Sequence, residues 1–119
     1  MRNTTMNKSM LAVATLIGAA GALLVPAVSR ADDVADQRYL SALASVGITQ
    51  QHSASTLIAM GHGVCQELDQ GKAPTRIGSE IMSTASLAPG DLLAKPENAG
   101  LLVASAVAVY CPQYRALIR

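Results

Sequence analysis

The chain has 119 residues, half of them hydrophobic, with no Phe, no Trp and two Cys, so a single domain is expected. Its formal net charge is +1, too small a positive excess to neutralise a run of phosphates, which argues against a nucleic-acid-binding protein. The apolar residues are mostly Ala, Leu, Val and Ile, an unusual stock for a small core, because aromatic side chains normally bury the most area per residue.

Residues 1–9 are polar and carry Arg2 and Lys8, and residues 10–25 hold no charge before Pro26 breaks the run. Ser29 and Ala31 stand at the −3 and −1 positions of a cut between Ala31 and Asp32. A basic segment, an apolar segment and a small-x-small site are the layout of a cleavable signal peptide, read here over 1–31. A cut after Ala27 is the second option. An uncleaved anchor is the competing reading, but a span needs about twenty apolar residues and this run stops at Pro26. No Cys stands beside the cut to carry a lipid, and there is no twin Arg, so the general secretory route is expected. The mature domain then runs over 32–119, with six basic and eight acidic side chains and a net charge of −2. Its expected place is the cell envelope or the medium. Leu101 to Val109 is too short to span a bilayer, so no transmembrane span is expected in the mature form.

Four helices and no strand are expected after the leader. The first covers about 33–46. Tyr39, Leu40, Leu43 and Val46 form one apolar stripe, and Asp32, Asp33 and Asp36 suit the positive end of the helix dipole. Gly47 fits the position just past the last turn, with Ile48 folding back onto it. The second covers about 53–69, capped by Ser53 or Ser55. Leu57, Met60, Val64 and Leu68 form one row, with Ile58, Gly61 and Cys65 beside it. Gly61 and Gly63 each cost the helix about 1 kcal/mol relative to Ala. Either another helix approaches closely near Cys65 or the two positions merely tolerate glycine. Gly71 ends this helix.

The third helix covers 74–85, with Pro74 at its first position and Ile77, Ile81 and Met82 on its apolar side. Leu87 to Lys95 reads as a loop built on the Pro89-Gly90 turn signal. The fourth helix covers 96–110, starts on Pro96 and is apolar nearly all round, which places it at the centre. Ala99, Val103, Ala106, Val107 and Tyr110 are its main stripe. Its apolar run could alternatively line a lipid pocket, although close packing at Ala and Gly removes such gaps. Pro112 stops the helix, leaving Tyr114, Leu117 and Ile118 as a packed tail. The fold class is therefore all-α, a small bundle of about four helices.

Both cysteines fall in the mature part, where export leads to an oxidising compartment. Two cysteines allow one intramolecular pairing, so a Cys65–Cys111 disulfide is expected to close the domain. The competing reading is chemical: His62 precedes Cys65 by three residues, on one helix face, as a base beside a thiolate or as two metal ligands. The only other His is His52. Ten residues away, it points elsewhere around a helix, and a metal site usually needs three or four ligands. Gly61-His62-Gly63 matches no phosphate loop, and no Ser/His/Asp set or carboxylate pair stands out. No catalytic residue, cofactor or metal is expected.

The assembled pattern is Asp36-x-x-Tyr39-Leu40-x-x-Leu43-x-x-x-Gly47-Ile48, then Gly61-His62-x-Val64-Cys65-x-x-Leu68-x-x-Gly71. It closes on Ala99, Val103, Ala106-Val107-x-x-Tyr110-Cys111-Pro112-Gln113. It resembles domain-of-unknown-function family 732, small exported proteins common in mycobacteria, from about Asp36 to Gln113. The resemblance implies a secreted helical domain with two paired cysteines. It brings no shared activity and no catalytic residues, and the proline-rich stretch Leu87 to Lys95 departs from it. The expected function is that of a non-enzymatic binding module for an unknown protein or envelope partner. The alternative is a carrier of a small apolar ligand such as a lipid.

Overall fold

The structure is a computed structural model that describes residues 32–118, and its compact unit begins at Ala35. The expected leader, 1–31, lies outside the described residues. Four long helices are present, with three short 3-10 turns between and after them, and no strand occurs among the described residues.

Helix α1 spans residues 32–44, two residues short of the expected end. The Val46 and Gly47 amides bond back to Leu43 and Ala44, three residues away. This tighter winding takes residues 45–47 off the helical register. Val46 consequently leaves the stripe and is 38% exposed. Gly47 takes the left-handed φ of 86°, which glycine adopts without strain. Ile48 follows it, fully buried in the core at the start of the 3-10 turn Ile48–Gln50.

Helix α2 runs Ala54–Asp69, and the Ser53 hydroxyl accepts the Thr56 amide as its cap. Its C-terminus is closed by two bonds, Gly71 N–H to Leu68 and Lys72 N–H to Glu67, with Gly71 at φ 90°. That is the Schellman arrangement, which satisfies carbonyls the helix leaves open. Helix α3 runs Pro74–Ala85 from Pro74 at its first turn, and it packs Ile77 into the core.

The stretch Leu87 to Lys95 is more ordered than a plain loop. Pro89 and Gly90 (φ 81°) form the turn, closed by the Asp91 amide on Ala88. The 3-10 turn Leu92–Ala94 follows and buries Leu93. Gln51 holds it from across the chain: its amide nitrogen donates to Gly90 at 2.9 Å and its oxygen accepts the Leu92 amide at 2.8 Å.

Helix α4 runs Pro96–Tyr110 and packs against α2, α3 and both flanking 3-10 turns. Ala99, Leu102, Val103, Ala106 and Val107 are buried along it, which gives it the central position expected of an all-round apolar helix. Buried Asn98 donates to the Leu92 carbonyl at 2.9 Å, so its polar side chain is satisfied. The tail Pro112–Leu117 is a 3-10 turn. Tyr114 and Ile118 pack on the core, and Leu117 stays 57% exposed. No helix among the described residues is long and apolar enough to cross a membrane.

Candidate functional site

Cys65 on α2 and Cys111 at the end of α4 are joined, with sulfurs 2.01 Å and Cα atoms 5.9 Å apart. Neither sulfur is left as a thiolate, so His62 has no nucleophile or metal partner in Cys65. His62 instead lies against Tyr110, ring centroids 4.2 Å apart. Tyr110 donates its hydroxyl to the Asp36 carboxylate, and its ring lies 5.2 Å from that of Tyr39. Tyr39 is fully buried and donates to the Leu57 carbonyl at 2.6 Å. Burial pushes its phenol above the ordinary range, so it stays protonated as a donor.

This nest of rings resolves the two glycines. A Cβ at Gly61 would stand 2.8 Å from Tyr39 Cζ and 2.9 Å from Tyr110 Cε2, whereas one at Gly63 would meet nothing within 4 Å. Close approach holds at Gly61, where the neighbours are tyrosine rings, and not at Gly63.

The open side of Gly63 faces an open groove of about 470 Å³ between α2 and α3. Val64, Ile77 and Leu93 form its buried floor, and Met60, Ile81 and Ala85 flank them. The groove lies away from the apolar face of α4 considered for a lipid pocket, because those side chains are consumed by the core. Its lining on α2 extends from Thr56 to Glu67, a length of ~16 Å at 1.5 Å per residue.

Polar groups mark both ends. Beside the α2–α3 turn, Lys72 bridges Glu67 at 2.8 Å and Glu80 at 2.9 Å. The two carboxylates raise the Lys72 pKa, and Lys72 in turn lowers that of Glu80. At the far end, His52 Nε2 meets Asp91 Oδ1 at 3.0 Å. The same oxygen accepts the Leu93 amide at 2.9 Å. Burial alone would raise the Asp91 pKa, but the hydrogen bonds from His52 and the Leu93 amide outweigh it and hold the carboxyl below its ordinary range. A second depression of about 410 Å³, between α3 and α4 beside Leu117 and Ile118, has no ionisable side chain in its lining.

The two histidines therefore belong to different places, His52 to the groove and His62 to the tyrosine nest. Among the described residues no group of three or more His, Cys, Asp or Glu could hold a metal ion. Sequence reasoning missed Asp91 and His52 as partners, because they lie in separate turns joined only by tertiary packing. A group with a depressed pKa stabilises fully above its unfolded value, about 3.9 for Asp, and loses that contribution as pH falls through the folded value. Asp91→Asn is expected to cost about 1 kcal/mol at pH 7. Urea midpoints should show the gap to the unaltered protein closing below about pH 4; an equal gap at pH 3 would assign the loss to something other than the charge.

The searches of curated proteins and of solved structures returned no match. The family model described as "Protein of unknown function (DUF732)" matches residues 35–113. That span begins where the compact unit begins and takes in both cysteines and the whole groove. The chain belongs to this family, the one its Tyr-Cys-Pro-Gln ending and its Val-Cys-x-x-Leu-x-x-Gly turn resemble.

Proposed function

We propose that this chain is exported through a cleaved leader and acts as a non-enzymatic binding protein whose α2–α3 groove takes an apolar small molecule. The observation that carries this reading is the groove. It is open, apolar along its floor and about 470 Å³ in volume, inside the roughly 300–1,000 Å³ range of small-molecule sites. Gly63 supports it, since nothing fills the space beside this residue although an interior glycine costs its helix about 1 kcal/mol. Export rests on the layout of residues 1–31, and the non-catalytic reading rests on the disulfide that occupies both cysteines. A macromolecular partner in the envelope is the second reading. The exposed large apolar side chains, Val34, Val46, Leu87 and Leu117, are scattered singly along the chain, which favours the small molecule.

Native mass spectrometry of the protein purified from its own source tests both halves. The expected result is a polypeptide beginning at Asp32 that carries an apolar adduct, with the adduct absent from a Gly63→Leu variant. A mass that includes the leader overturns export. A clean apo mass for the unaltered protein overturns ligand carriage.

A further inference from the structure

Apart from His52, the ionisable side chains in the groove lining are all acidic. Glu67, Glu80 and Asp91 contribute to it, and among the described residues no Lys or Arg does. The two ends differ in how that charge is balanced. At the α2–α3 turn, Glu67 and Glu80 share Lys72, and Arg76 Nε stands 3.9 Å from Glu80. Two acids face two bases there, and the end is locally neutral.

At the other end Asp91 is only 11% exposed. Both of its partners, His52 and the Leu93 amide, engage Oδ1. No Lys or Arg among the described residues pairs with Asp91, and its Oδ2 accepts no hydrogen bond from them. A carboxylate so far withdrawn from water exerts a stronger field than an exposed one. An anionic headgroup would be repelled at this end, and a neutral one would lack the attraction between two opposite full charges.

Building on the reading that the groove takes an apolar small molecule, we infer that its ligand class is a cationic amphiphile. The amine or quaternary ammonium seats against Asp91, and the apolar chain runs along Met60, Val64, Ile77 and Ile81 toward the neutral Glu67–Lys72–Glu80 end. The complementarity is of two kinds at once: an apolar floor ~16 Å long at the helical rise, and at one terminus of it a carboxylate with no Lys or Arg partner among the described residues.

Calorimetric titration at pH 8 with three probes of equal chain length tests this on the protein purified from its own source. The probes are decyltrimethylammonium, decyl sulfate and decyl glucoside, each below its micellar concentration. The expected result is one-to-one binding of the cation about tenfold tighter than the sulfate, the scale of one Coulombic contact near a protein surface. In Asp91→Asn, which retains an acceptor for the Leu93 amide, the preference should fall to about twofold or less. Glu80→Gln at the opposite end should leave it intact, and Gly63→Leu should abolish binding of all three probes. Equal or tighter binding of the sulfate by the unaltered protein overturns the cationic class while leaving the groove as an apolar site. An Asp91→Asn variant that retains the tenfold preference also overturns it. Failure of every probe to bind, or binding unaffected by Gly63→Leu, overturns the groove reading and this inference together.

Discussion

Gly61→Ala is expected to destabilise the domain by about 2 kcal/mol, while Gly63→Ala, two residues further along α2, is expected to stabilise it by roughly 0.5–1 kcal/mol. Both substitutions relieve the same conformational cost of an interior glycine, so only the surroundings set the sign. At Gly61 the new methyl would stand 2.8 Å from Tyr39 Cζ, 2.9 Å from Tyr110 Cε2 and 3.1 Å from Tyr39 Cε1. Neither ring can yield at low cost. Tyr39 is fully buried and tied by its hydroxyl to Leu57 on α2 itself. Tyr110 lies between Tyr39 and His62 and is tied to Asp36. At Gly63 nothing lies within 4 Å of the new methyl. Urea unfolding should show the two midpoints moving in opposite directions at unchanged m. Equal shifts of the same sign would mean that the tyrosine nest is loose.

The second large effect is expected at the disulfide. Removing it, in the Cys65→Ser, Cys111→Ser double variant, should cost roughly 4 kcal/mol, the chain-entropy value for a loop of this length. Cys65 and Cys111 are 46 positions apart, and the bridge encloses the last turn of α2, all of α3 and all of α4. Net stability for a domain of this size is only about 4–13 kcal/mol, so the bridge holds a large share of the total. A loss of that size should lower the thermal midpoint by about 15–30 °C. Reduction of the unaltered protein should reproduce the shift and release two thiols to a labelling reagent. A midpoint insensitive to reductant would show that packing around Ala106 and Val107 holds the ends of α2 and α4 together without the bond.

The boundaries of α3 and α4, and the cap of α2, were legible in the sequence because their signals are local. Pro74 and Pro96 open helices in which their missing N–H costs nothing. Ser53 supplies the oxygen its helix start requires. Gly47 and Gly71 take the left-handed conformations that their positions demand. The end of α1 was misplaced because Val46 fits the apolar spacing, and spacing carries no record of a tightened last turn. Gln51 gave no signal at all. An amide in a polar turn reads as solvent-facing, yet it grips Gly90 and Leu92 some forty positions away.

Composition and short-range pattern by themselves determined the all-α class, the family and the single disulfide pairing available to two cysteines, since each depends on residue type and spacing along the chain. Tertiary structure alone decided the candidate site. The groove exists because α3 leans on α4 more than on α2, and its polarity exists because separate turns bring His52 to Asp91. The tertiary structure also separated Gly61 from Gly63. The two residues have the same helix propensity, and one faces two fixed rings while the other faces open space.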